Sequence, residues 1–290
     1  MTGAFSRHDL VTPGGVRLAT LRWPGSGPPL YLMHATGFCA AMWDPVARAL
    51  LDVTTPAAMD ARGHGASDHP DTEYPWSLFA EDLLHWIREE GDTRVLAIGH
   101  SSGATAVALA AAEEPERFAA LLLVDPVLLR PPEERDDDER QGGFGLAERT
   151  KRRRGVFPSK EAVRETYASR FPFSGFDPEV FDLYLEHAVH EREDGSVRLA
   201  CPPEIERRVY LGTAAVDPWS QFPKIRTPTR ILIPQLTGIR AELQERLATT
   251  LSHAEVVRVP GTHFVALEQP DLVAAHARSF FNAIGRSPRP

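Results

Sequence analysis

The sequence predicts an α/β fold: a mostly parallel sheet with helices on both faces and a helical cap inserted between core strands. Three observations carry this. Short β-branched or Leu-rich runs alternate with longer helical patterns, the mark of strand–helix–strand units. Runs such as Leu121-Leu122-Leu123-Val124 are continuously apolar, as strands covered on both faces must be. The alternation then stops between residues 128 and 222.

Taken in order, strands are expected at 16–23, 30–34, 53–59, 94–98, 120–124, 229–233 and 255–259. Helical patterns fall between them at 43–51, 77–90, 102–113, 240–251 and 271–284. The interrupted stretch is rich in Pro, Arg and Glu and reads as loop followed by helices. Within it Asp177-Pro178 is a helix start, an N-cap followed by proline at the first helical position. Behind it Val180, Phe181, Tyr184, Leu185, Ala188 and Val189 form one apolar stripe. The division is therefore core 1–129, helical cap 130–222 and core 223–290. Such an insertion lies over the carboxyl edge of the sheet, where open α/β sheets bind ligands.

Composition narrows the function. The 290 residues are 42% hydrophobic and 25% charged, with a formal net charge of −8. That balance excludes a nucleic-acid partner, which needs clustered cations. The one cationic run, Lys151-Arg152-Arg153-Arg154, follows the acidic run Asp136-Asp137-Asp138-Glu139, and the pair reads as a solvated loop. The two cysteines, Cys39 and Cys201, sit in no CxxC or Cys/His cluster. No metal, disulfide or cofactor is expected. Residues 1–9 contain no apolar signal-like region, and the longest apolar stretch, 104–112, is too short to span a bilayer. The expectation is a cytoplasmic protein without a membrane partner, monomeric or homodimeric.

Gly99-His100-Ser101-Ser102-Gly103 matches G-x-S-x-G, preceded by the strand pattern Val95-Leu96-Ala97-Ile98 and followed by an Ala-rich helix. That context places Ser101 on a sharp strand-to-helix corner, with the free N–H groups of the helix start aimed at the reacting centre. Ser101 is the candidate nucleophile. Ser102 is expected to contribute its backbone N–H, with its side chain directed elsewhere. Serine needs a neutral imidazole to take its proton. His263, in Val259-Pro260-Gly261-Thr262-His263-Phe264 just after the last strand pattern, is the candidate base. His34, His64 and His100 read as structural, and His85, His187, His190 and His253 as surface or packing residues.

At this point the sequence resembles the α/β-hydrolase superfamily, in its capped esterase, lactonase and dehalogenase-like form. The matching pieces stand in order: His34-Ala35-Thr36-Gly37-Phe38 through Trp43, Asp60-Ala61-Arg62-Gly63-His64-Gly65-Ala66-Ser67, the Ser101 elbow, Val124-Asp125-Pro126 and Pro260-Gly261-Thr262-His263-Phe264. The resemblance implies that the loop after the first buried strand completes an oxyanion hole, with Thr36 N–H and Ser102 N–H as donors. It also implies that the Asp60–Ser67 turn is structural. Two departures stand out. The family's His-Gly is His34-Ala35 here, and its usual acid position is Thr237. The haloalkane-dehalogenase branch places its acid after the strand that follows the nucleophile helix, and Asp125 fills that slot. Asp217, Glu242 or a dyad without an acid are the alternatives.

A serine at the elbow argues against dehalogenation, because its alkoxide forms a stable ether. Acyl transfer to water follows: a serine hydrolase acting on a small or medium apolar ester or lactone. Pocket candidates are Phe38, Met42, Trp43, Phe144, Tyr184, Trp219 and Phe264, which together suggest an apolar site. C–C bond or amide hydrolysis on the same residues, and a slow-turnover receptor-like protein, are the other readings.

Overall fold

The computed structural model describes residues 5–140 and 145–286. The first six strands are β1 (Ser6–Val11), β2 (Arg17–Arg22), β3 (Pro29–Met33), β4 (Thr55–Met59), β5 (Val95–His100) and β6 (Phe118–Val124). Three short strands follow inside the insertion: β7 (Val156–Phe157), β8 (Val189–Glu191) and β9 (Val197–Leu199). The chain then returns through β10 (Thr229–Leu236) and β11 (Ala254–Thr262). The main sheet runs β1-β2-β4-β3-β5-β6-β10-β11. The β1–β2 and β2–β4 pairs are antiparallel, and every other pair is parallel.

The continuous apolar strands supply both faces because successive side chains point oppositely. Leu30, Leu32, Leu122 and Val124 join one core cluster, together with Val273 and Ala277 of helix Pro270–Arg286. Tyr31, Met33, Leu121 and Leu123 join the other, under helices Trp76–Glu89 and Ser102–Glu113. Each fully buried Leu contributes roughly 1.5–3 kcal/mol. Helix Ser102–Glu113 is buried along almost its whole length. Its Ala-rich surface, with Gly103 in the first turn, lets it lie close against the sheet.

Two elements depart from the expectation. β1 was not expected; it is an edge strand exposed at four of its first four positions, so no burial period marks it. The insertion is not purely helical. It holds helices Lys160–Tyr167, Pro178–His187 and Pro203–Gly212, but also an antiparallel sheet of order β7-β9-β8. Asp177 does cap its helix, its Oδ1 accepting from the N–H of Glu179 and Val180. The helix ends at His187, however, so Val189 of the stripe begins β8. The β8–β9 hairpin turns at Asp194-Gly195, with Gly195 at φ +78°. An Asp-Gly pair between apolar runs is a hairpin signal.

The insertion meets the carboxyl-end loops of the sheet. Asp177 N–H donates to the carbonyl of Leu267 at 2.9 Å, and Phe38 after β3 packs on Phe173 and Tyr184. Among the described residues no helix is long and apolar enough to cross a membrane.

Candidate active site

Ser101 stands between β5 and helix Ser102–Glu113 at φ 57°, ψ −120°, a conformation that L side chains rarely adopt. Glycines make this corner possible. A Cβ on Gly99 would come within 2.5 Å of Ala104 Cα, and one on Gly103 within 2.4 Å of the Met33 carbonyl oxygen. Ser101 N–H is held by the Val124 carbonyl at 3.0 Å, which ties the elbow to the end of β6.

His263 follows β11 and brings its Nε2 to 2.9 Å from Ser101 Oγ. Its Nδ1 lies 2.7 Å from Asp125 Oδ2. His100 Nε2–H donates to the His263 carbonyl at 2.7 Å and so fixes the backbone of the imidazole. Burial pushes the His100 pKa down to about 3, with the neighbouring His263 adding to the shift. His100 is therefore a neutral tether.

Asp125, at φ 44°, is fully buried at the end of β6. Its carboxylate accepts three hydrogen bonds. Besides His263, Thr237 Oγ1 donates to Oδ2 at 2.8 Å and Gln244 Nε2 to Oδ1 at 2.6 Å. Buried polar oxygens need such donors in place of water. Thr237, at the family's usual acid position, thus supports the carboxylate instead of supplying one. Asp217 accepts the N–H of Trp219, and neither it nor Glu242 contacts His263 among the described residues. Thr237 was marked in the sequence only as the usual acid position lacking an acid, and Gln244 carried no motif. The one available signal was a buried-side Gln on helix Ala241–Thr250.

The loop after β3, expected to form the oxyanion hole, is pinned by His34, whose Nδ1–H donates to the Ala35 carbonyl at 2.8 Å while Nε2 accepts Ala61 N–H at 3.0 Å. Ser102 departs from the expectation that its side chain points elsewhere. Its Oγ lies 2.9 Å from both Thr36 N and Thr36 Oγ1, because the first helical turn packs directly on the loop. Thr36 N–H is thus engaged in this state, while the amide of Ser102 heads its helix. The Asp60–Ser67 turn is structural: Asp60 accepts the N–H of Ala40 and Ala66, and Arg62 makes a forked pair with Asp82.

Rings wall one side of the site. Phe264 stands 5.1 Å from His263 and 6.0 Å from Phe38, centroid to centroid. Phe38 also meets Phe176 at 5.7 Å and Tyr184 at 6.2 Å. Sequence reasoning had missed Phe176. Met42 and Trp43 are buried in the same cluster. Trp219 is not brought there. It packs on Phe222 in the opposite cluster, with Nε1–H donating to the Leu129 carbonyl. Phe144 lies outside the described residues. The charged runs are only partly solvated. Glu139 is buried between Arg130 and Arg240, and Arg153 turns inward to Glu206.

Over 96 residues the chain is 36% identical to 2-(acetamidomethylene)succinate hydrolase of Mesorhizobium japonicum, a segment covering 33% of this chain and 34% of that protein. The match thus spans about a third of that relative's length. In fold the chain is similar to E-2-(acetamidomethylene)succinate hydrolase, with a TM-score of 0.82 at 24% identity over 96% of this chain and 99% of that one. It is similar also to a thermophilic esterase from Thermogutta terrifontis with malate bound, with a TM-score of 0.74 at 24% identity over 96% and 99% of the two chains. Residues 30–276 match the profile of the alpha/beta hydrolase family. The match takes in the Ser101 elbow, Asp125 and His263, and the chain is a member of the alpha/beta hydrolase family.

Proposed function

We propose that the protein is a serine hydrolase that cleaves a small or medium carboxylic ester or lactone, apolar around the scissile bond, through an acyl-Ser101 intermediate. The observation that carries this reading is the unbroken relay from Ser101 Oγ to His263 Nε2 at 2.9 Å and from His263 Nδ1 to Asp125 at 2.7 Å. Asp125 keeps the Nδ1–H tautomer, which leaves the Nε2 lone pair facing the serine hydroxyl. As Ser101 Oγ bonds to the carbonyl carbon, its proton passes to Nε2. The imidazolium then lies against the Asp125 carboxylate. The oxyanion takes the Ser102 N–H at the helix start, and the Thr36 N–H once the Ser102 hydroxyl turns aside. Collapse breaks the bond to the leaving oxygen, which takes the proton from Nε2. Water repeats the sequence on the acyl carbon, giving its proton to Nε2, and Ser101 leaves with that proton restored. The products are an acid and an alcohol, or one hydroxy acid from a lactone.

A second reading, amide cleavage, is favoured by the 36% identical relative, whose name carries an acetamido group. The same steps apply, with an amine as the leaving group. The test is labelling by a fluorophosphonate probe, followed by a panel of 4-nitrophenyl esters and 4-nitroanilides. Wild type should be labelled at Ser101 and Ser101→Ala should not. Anilides turned over in preference to esters would move the reading to amides. An unlabelled, folded wild type with neither activity would refute the acyl-serine mechanism.

A further inference from the structure

We propose that Arg153, with the hydroxyls of Tyr167 and Tyr184, forms a carboxylate-binding subsite, so that the substrate carries a carboxylate remote from its scissile bond. This deepens the acyl-serine reading above and rests on it for the position of that bond.

The inference starts from a mismatch between donors and acceptors. Arg153 Nη1 donates to Glu206 Oε2 at 2.5 Å, Nε to Tyr167 OH at 3.3 Å and Nη2 to Tyr184 OH at 3.4 Å. A guanidinium has about five N–H bonds, so two have no acceptor among the described residues. Each phenol accepts from Arg153, and neither phenolic proton has an acceptor there either. Glu206, by contrast, has a donor on each oxygen, since its second one takes the Tyr210 hydroxyl at 3.1 Å. Tyr167 and Tyr184 are buried, and buried donors are costly to leave unpaired. Only one guanidinium N–H of Arg153 is spent on Glu206.

Exposure says which group a ligand reaches. The Arg153 side chain keeps 23% of its surface open, whereas Glu206 keeps 7%. The cation is therefore the more open partner of the two.

Position connects this cluster to the reacting centre. Gly37 directly follows Thr36 in the oxyanion loop. A Cβ on it would stand 3.3 Å from Glu206 Oε1 and 3.7 Å from Arg153 Nη1. The cap cluster thus sits on that loop. From Tyr184 the rings of Phe38 and Phe264 lead to His263 in steps of 6.2, 6.0 and 5.1 Å. A substrate laid along this wall has its carbonyl at Ser101, a short apolar middle against Phe38 and Phe264, and its far end at Arg153. A carboxylate can accept from a guanidinium and two phenolic protons together.

The test compares monomethyl glutarate with methyl pentanoate as substrates, together with calorimetric titration of glutarate into the unreacted protein. Wild type should favour the half-ester in kcat/KM, and Arg153→Met should lower that preference by about 10- to 100-fold, the range of one charge-assisted hydrogen bond. Arg153→Lys should restore part of it. Because Arg153→Met leaves Glu206 buried without its partner, the double variant Arg153→Met/Glu206→Gln repeats the measurement with both charges removed. Wild type without a half-ester preference, or a preference that survives in the double variant, overturns the subsite. If fluorophosphonate labelling and ester turnover both fail, the nucleophile assignment falls. Calorimetry then decides the subsite alone: glutarate heat present in wild type and lost without Arg153 supports it, and no heat in wild type overturns it.

Discussion

Replacing Asp125 by Asn tests the proposed acid with little change in shape. In the folded enzyme Oδ2 accepts from His263 and Thr237, and Oδ1 from Gln244. An amide supplies one acceptor and one donor. If its oxygen faces His263 and Thr237, its NH2 faces the NH2 of Gln244, which is a clash of donors. Gln244 can relieve this by turning over, because its Oε1 has no partner in the described structure; it then loses its 3.1 Å bond to the Pro126 carbonyl. The imidazole therefore keeps its correct tautomer, and the loss reduces to the missing charge opposite the imidazolium. At an effective dielectric of about 20, two unit charges about 4 Å apart attract by about 4 kcal/mol. That is a fall of about 10³-fold in kcat. It is smaller than the ~10⁴-fold associated with forcing the wrong tautomer. Adding Gln244→Met removes the turning amide and should leave the loss no smaller. The assay is steady-state hydrolysis of a 4-nitrophenyl ester, with circular dichroism to check folding. A folded Asp125→Asn enzyme within about tenfold of wild type would refute Asp125 as the acid.

Thr237→Val removes a donor to the same carboxylate and an acceptor for Ile239 N–H. It should cost about 1.5–3 kcal/mol of stability, the range for a hydrogen bond to a charged group, and an unchanged urea midpoint would contradict this. His64 and His100 are both held near pKa 3 by burial. They are neutral in the native state, while the unfolded chain takes protons at the ordinary histidine value of about 6.5. Stability should thus be full above that value and fall as pH drops toward 3, by up to about 1.4 kcal/mol per unit for each residue. Urea midpoints level from pH 7 to 4.5 would refute it. Gly103→Ala forces a methyl onto the Met33 and His34 carbonyls. It should destabilise by at least about 1–3 kcal/mol, and a melting temperature equal to wild type would show that the elbow has room.

What was legible in the sequence follows the range over which each signal acts. The parallel sheet was legible because β3, β5, β6 and β10 are buried on both faces, which forces continuous apolar runs. The elbow was legible because Gly99 and Gly103 are required by direct backbone contact. β1 was not, because an exposed edge carries no burial period. β7, β8 and β9 span two or three residues each, shorter than any periodicity; only the Asp194-Gly195 turn announced them. Gln244 and Arg153 were hidden for a different reason. Their partners are distant in sequence, Asp125 and Glu206 respectively, and a polar residue on a helix or in a charged run looks the same whether it faces water or a buried counter-group. The Ser102 side chain belongs with these, since its direction is set by Thr36 across the elbow.

The location of the proposed acid follows from the sheet. β6 and β10 are neighbours, and Val124 pairs with Leu232. The backbone N–H of Asp125 even donates to the Leu232 carbonyl at 2.9 Å. The turns that leave these two strands therefore open onto the same spot beneath His263. A carboxylate on either turn reaches Nδ1, and the other turn has only to present a donor to it. In this chain β6 brings the carboxylate and β10 brings the Thr237 hydroxyl. Moving the charge back to β10 by Thr237→Asp while Asp125 remains would bring two buried carboxylates together, and one would have to take up a proton. The relocation therefore works as a paired exchange. Asp125→Thr/Thr237→Asp should retain more activity than Asp125→Thr alone, measured as kcat on the same ester. A double variant no better than the single one would show that the two turns are not interchangeable supports for His263.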